Sequence, residues 1–263
     1  ESSNNPNKDT NNVKVNADPI SENLPVLIYS HGWAGEKIFA VDQLMNLASN
    51  GFYVVAINHT GVAMFSDLSG QTILNTNSSD ESVDIVEVMS GMANDIEDTV
   101  NYLQNNNFKA DFNSISVMGH STGAGAIHLY CLQNNCNSLI LHDPFLTPIF
   151  QKYGEFEVID NTYFIYSEDW YLSNFDTEQV TEISVFKSIN SENKYEGYYL
   201  VDSKHYDFVA FGAISPLTSY TFLKGNIAYV DSLTTNNYFN LQAIKNSIIE
   251  ETEYLKKIND KWS

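Results

Sequence analysis

The pentapeptide Gly-His-Ser-Thr-Gly at 119–123 follows an apolar run, Ser114-Ile115-Ser116-Val117-Met118, and precedes Ala124-Gly125-Ala126-Ile127-His128-Leu129-Tyr130. A G-x-S-x-G pattern between a strand and a helix is the signature of a nucleophile elbow. It requires a sharp turn that lifts a serine hydroxyl, here Ser121, onto the strand end. Gly119 and Gly123 leave room where strand and helix backbones nearly touch. The small residues after them suit a buried helix.

The rest of the chain agrees. Apolar runs at Leu24–Ser30, Phe52–Ile57, Ser138–Leu141, Thr162–Tyr166 and Tyr198–Val201 read as buried strands. Helical spacing runs through Ala40–Asn50 and Asp84–Asn105, and a further helix is predicted over Leu241–Ile258. Residues 66–82 are polar and rich in Ser, Asp, Asn and Gly, and predict a surface loop. Strands separated by helices predict an α/β fold: a mostly parallel central sheet with helices on both faces. The 263 residues suit one domain over 19–263 after a polar tether over 1–18. Such a tether commonly follows an export signal or a lipid-bearing terminus, so a secreted, cell-surface or periplasmic location is expected. Cys131 and Cys136 can pair if a helix ends between them; otherwise they stay free.

Charge excludes several classes of partner. The formal net charge is −20, and all 13 basic residues are Lys. No basic patch is available for nucleic acid or anionic lipid, and no stretch approaches a membrane span. No His/Cys cluster has metal spacing, so neither metal nor cofactor is expected. A monomer acting on a small-molecule or lipid substrate fits these limits.

A serine hydroxyl needs a base to take its proton, and the base needs a carboxylate to orient it. Of six histidines, His205 lies in a polar loop after the last predicted strand, where the base belongs in this chain order. His120 adjoins Ser121 but is expected to point away from it. The residues leave two acids open, Asp143 after one strand and Asp169 after the next. Oxyanion donors are expected from the N–H of Thr122 and, in Ser30-His31-Gly32-Trp33, the N–H of Trp33. Trp33, Phe145, Trp170, Tyr206 and Phe208 are candidate linings of a substrate pocket, or else core. Activity should rise with pH through the titration of His205, near 6.5 or somewhat above.

The segments Leu24–Trp33, Leu47–His59, Val117–Gly123, His142–Pro148, Ile165–Glu168 and Lys204–Phe208 run in an order that resembles the α/β-hydrolases related to type II platelet-activating-factor acetylhydrolase and dienelactone-hydrolase-like esterases. The resemblance covers roughly residues 24–260. It implies the α/β-hydrolase fold, Asp143 rather than Asp169 as the acid, and a serine esterase for short-acyl esters, including sn-2 phospholipid esters. A cutinase-like hydrolase of bulky or polymeric esters on an open cleft is the alternative. A homologue that binds without turnover is a third.

Overall fold

The computed structural model describes residues 23–75, 83–172, 181–192, 194–200, 203–209 and 255–257. The tether expected over 1–18 and most of the helix expected over 241–258 lie outside them.

The chain opens with strand β1 (Leu24–Ser30), helix α1 (Val41–Ser49) and strand β2 (Tyr53–Ile57), followed by two short strands, β3 (Phe65–Leu68) and β4 (Gln71–Leu74). Helix α2 (Ile85–Asn105), strand β5 (Ala110–His120), helix α3 (Thr122–Gln133) and strand β6 (Ser138–His142) come next. Helix α4 (Thr147–Tyr153), strand β7 (Thr162–Ser167), helices α5 (Glu168–Leu172) and α6 (Glu182–Ile189), strand β8 (Glu196–Leu200), a 3-10 turn (His205–Phe208) and strand β9 (Leu255–Lys257) complete it. One sheet has the order β2-β1-β5-β6-β7-β8-β9. Its first six strands run parallel, and β9 pairs antiparallel to β8.

Both faces are apolar because successive side chains alternate across each strand. Val26, Ile28, Val117, Leu139, Leu141 and Phe164 pack on one side with Met89, Met92 and Ile96 of α2 and Ala124 and Ile127 of α3. Leu27, Tyr29, Met118, Ile140 and Ile165 pack on the other with Leu44 and Leu47 of α1. Asp84 caps α2, its carboxylate accepting the N–H groups of Val86 and Glu87 at 2.9 and 3.3 Å. Helix α3 is buried on nearly every side, as its small residues predict. A Cβ at Gly125 would meet the Met89 sulfur at 2.6 Å, so the glycine lets α2 lie close. No described helix is long and apolar enough to cross a membrane.

Two expectations are corrected. Residues 66–82 are not all loop: β3 and β4 form a hairpin with Phe65 opposite Leu74. Its two-residue turn, Ser69-Gly70, has φ of 53° and 83°, the all-positive pattern that suits the twist of a tight hairpin. Residues 255–257, expected to be helical, are strand. The question left open at Cys131 and Cys136 is resolved as well. Helix α3 ends between them, their Cα atoms lie 5.6 Å apart, and they form a disulfide.

Candidate active site

The order of strands changes direction at β1, whose neighbours are β2 on one side and β5 on the other. In an open parallel sheet such a point leaves a crevice at the carboxyl ends of the strands, where ligands bind. His31-Gly32 follows β1 and Ser121 follows β5, one on each side of that crevice. Asp143 follows β6, Ser167 ends β7, and His205 lies beyond β8.

Ser121 has φ 56° and ψ −122°. A side chain in that region is strained by roughly 1–3 kcal/mol, so its surroundings must hold it. They do so from the end of β6 and the loop after it: the Ser121 N–H donates to His142 O at 3.0 Å, and its carbonyl accepts from the Phe145 N–H at 3.2 Å. A Cβ on Gly119 would lie 2.6 Å from Gly123 O, the close approach the sequence predicts. At Gly123 the neighbour is different: a Cβ there would lie 2.3 Å from Ser30 O and 2.4 Å from His31 O, both on the β1 side. Gly123→Ala is therefore expected to destabilise the protein by about 3 kcal/mol, the upper end of overpacking costs. Gly91→Ala, on the exposed face of α2 where a Cβ meets nothing within 4 Å, should stabilise by about 0.8–1 kcal/mol. Urea denaturation of both variants checks the pair; equal effects would contradict the packing at Gly123.

Asp143 is fully buried. Its carboxylate accepts hydrogen bonds from the Ser167 N–H and Ser167 Oγ–H. His205 Nδ1 lies 3.0 Å from Asp143 Oδ2. Asp169, the other acid left open, accepts from Ser167 Oγ at 3.0 Å, and its charge acts on His205, raising its pKa against burial. Ser167 Oγ has one proton for both acids and so serves one at a time. Burial pushes Asp143 up from the ordinary carboxylate range, and the two Ser167 donors pull it back. Burial also pushes His205 down to about 4. The imidazole is thus neutral at neutral pH and able to accept a proton.

Sequence reasoning missed what holds His205. Its ring stacks on Trp170 with centroids 3.7 Å apart and planes 13° apart. His120 does not point idly away: its Nε2–H donates to the His205 carbonyl at 3.0 Å, and the two rings lie 4.5 Å apart. His142 stacks on Phe208 at 4.7 Å, on the same 3-10 turn. Burial holds His120 and His142 neutral, the latter down to about 3. No local pattern marks this role; a residue beside Ser121 meets one 85 positions away only through the fold. His120, Asp143 and His205 each offer a donor atom within 4.8 Å of the others. Sequence spacing gave no sign of a cluster that could reach one ion. In the structure His120 Nε2 and the His205–Asp143 pair are engaged in hydrogen bonds.

The β1 loop lies directly on Ser121, because a Cβ at Gly32 would sit 3.0 Å from the Ser121 Cβ. The N–H groups of Trp33 and Thr122 have no hydrogen-bond partner among the described residues. For Thr122 this follows from its place at the first turn of α3. Of the aromatic candidates, Phe145 and Trp170 meet edge to face at 6.1 Å, and Trp170 Nε1–H donates to Pro144 O at 3.1 Å. Tyr206 is 65% exposed, with its ring 5.3 Å from that of His205. Trp33 is partly buried and packs on the main core cluster. Phe208, left open between pocket and core, is 2% exposed and packs in the second core cluster.

Comparison with known proteins adds two likenesses. Residues 4–88, about a third of the chain, match the family described as platelet-activating factor acetylhydrolase, isoform II. That stretch carries the β1 loop but ends before Ser121. A ferulic acid esterase from Streptomyces cinnamoneus is similar in structure, with a TM-score of 0.61 and 17% sequence identity over 89% of this chain and 67% of that one. No curated protein matches the sequence significantly.

Proposed function

Taking the chain as an α/β-hydrolase that resembles platelet-activating-factor acetylhydrolase, and as a carboxylic-ester hydrolase, we propose that it works through Ser121, His205 and Asp143 on short-acyl esters. The observation that carries this reading is the His205 Nδ1 to Asp143 Oδ2 contact of 3.0 Å, made beside a serine held on a strained turn. Ser121 Oγ attacks the ester carbonyl carbon while its proton passes to His205 Nε2. Asp143 fixes the tautomer with hydrogen on Nδ1 and stabilises the imidazolium. The N–H groups of Trp33 and Thr122 receive the charge on the former carbonyl oxygen. Collapse expels the alcohol, which takes the proton from His205. Water, deprotonated by the same base, then releases the acid and frees Ser121.

Within this scheme the substrate is a small-molecule or lipid ester, with sn-2 acetyl phospholipid as the favoured class. The match to the acetylhydrolase family supports that choice. A second reading, a bulky, polymeric or aromatic-acyl ester on an open cleft, is favoured by the exposure of Tyr206 beside the base. The structural likeness to a ferulic acid esterase is consistent with it. Rates on acyl esters of increasing chain length, an sn-2 acetyl phospholipid, a feruloyl ester and a soluble polyester fragment separate the readings. A preference for the feruloyl or polymeric substrates would overturn the first. The disulfide supports an oxidising location, hence the secreted or cell-surface proposal.

The pH profile follows from burial and departs from the value near 6.5 that the sequence suggests. The base must be neutral, and its neutral fraction rises with pH through its pKa. With His205 pushed down to about 4, the acidic limb of kcat/KM should lie well below 6.5. Initial rates on p-nitrophenyl acetate from pH 4 to 9 measure it. A limb at 6.5 or above would contradict the buried, neutral base.

A further inference from the structure

A second Ser-His-Asp sequence of hydrogen bonds lies beneath the β1 loop. Ser30 Oγ is 2.9 Å from His59 Nε2, and His59 Nδ1 is 2.8 Å from Asp95 Oδ2. It cannot perform hydrolysis, because Ser30 and His59 are both 0% exposed and no substrate reaches them. The bonds continue instead toward Ser121. The His59 backbone N–H donates to His31 Nε2 at 3.1 Å. His31 Nε2 is therefore an acceptor, its hydrogen is on Nδ1, and Nδ1–H donates to Gly32 O at 2.7 Å. The Gly35 N–H donates to the same oxygen at 2.9 Å. One tautomer of each histidine satisfies the whole series: His59 donates from Nδ1 to Asp95 and accepts the Ser30 hydroxyl at Nε2.

The carbonyl of Gly32 and the N–H of Trp33 belong to one planar peptide unit. In a trans peptide the two point in opposite directions. Holding the Gly32 oxygen with two donors on the side of His31 thus fixes the direction of the Trp33 N–H. That N–H has no partner of its own among the described residues. We propose that Asp95, His59 and His31 are positioning residues whose hydrogen bonds aim the Trp33 N–H at the developing oxyanion. The inference rests on the esterase reading above and adds to it a remote control of one oxyanion donor, reaching from the surface of α2. Asp95 is its accessible end, with a side chain 48% exposed. Loss of its carboxylate leaves the His59 ring held by Ser30 alone, loosens the residue whose backbone N–H holds His31 Nε2, and so weakens one of the two donors that fix the Gly32–Trp33 peptide.

Asp95→Ala tests this without opening a cavity in the core. One oxyanion donor is worth roughly a hundred- to a thousandfold in kcat, so a misaimed one should cost roughly tenfold or more while KM stays within about twofold. The specific readout is the rate ratio between an ester and its thionoester. Sulfur accepts hydrogen bonds poorly, so an intact oxyanion site favours the oxygen ester and a misaimed one favours it less. The ratio should fall with kcat in Asp95→Ala, measured well below its melting temperature. Asp95→Asn, whose amide oxygen still accepts from His59 Nδ1–H, should recover most of the loss. Unchanged kcat in Asp95→Ala would overturn the proposal. So would a loss shared equally by both esters, since that is ordinary destabilisation. The two readings fail separately: turnover surviving Ser121→Ala sinks the esterase reading, whereas a dead Ser121→Ala beside a fully active Asp95→Ala sinks the relay alone.

Discussion

Replacing Ser121 by alanine is expected to lower ester turnover by roughly 10⁶-fold in kcat, or about 8 kcal/mol of barrier, and to leave the protein folded. The size follows from the role: without the hydroxyl there is no acyl-enzyme, and only the oxyanion donors and binding remain. The fold survives because no hydrogen bond among the described residues runs through that hydroxyl. The turn is held by backbone bonds to His142 and Phe145 instead. Alanine keeps the Cβ, so the cost of φ 56° is carried equally by both proteins. Burst kinetics on p-nitrophenyl acetate, with far-ultraviolet circular dichroism as the check on folding, measure the effect. Activity near the wild-type level would remove the foundation of the esterase reading.

Asp143→Asn is the second large effect, a loss of roughly 10⁴-fold in kcat. An asparagine in this site must turn its oxygen toward a donor. The Ser167 N–H already points there, which leaves the amide NH2 toward Ser167 Oγ and His205. His205 would then accept at Nδ1 and carry its hydrogen on Nε2, the nitrogen that has to receive the Ser121 proton. The protein stays folded and the base is disabled. Asp169→Asn keeps an acceptor for Ser167 Oγ and removes a charge that raises the His205 pKa, and it should change kcat no more than a few-fold. Measuring both variants at one pH ranks them; the reverse order would assign the acid to the end of β7.

The choice between those acids shows where sequence reading stops. The elbow, the two donor loops and the late histidine are local patterns, and each sits where its flanking strand predicts. Which carboxylate meets His205 depends on how far β6 and β7 extend and on how the 3-10 turn packs across them. Spacing along the chain does not contain that. The hairpin at 65–74 was hidden for another reason. Its residues are mostly exposed, so it lacks the apolar alternation that announces a half-buried strand, and only Ser69-Gly70 marks the turn. At 255–257 helical spacing loses to pairing with β8, as strand formation often follows the available edge rather than intrinsic preference. The network from Asp95 to Gly32 was invisible because it joins three segments through side chains that look ordinary one at a time.

The stacking of Trp170 on His205 gives the molecule an optical property. An indole in face contact with an imidazole emits differently once that imidazole becomes a cation, since the positive charge then sits over the ring. Trp170 is also anchored to the acid loop through Pro144, so its emission senses that loop as well as the proton. Trp170 is one of three tryptophans, so the difference between the ultraviolet fluorescence of the protein and of its Trp170→Phe variant, followed through an acid titration, is the signal that senses the protonation of His205 with no substrate and no label.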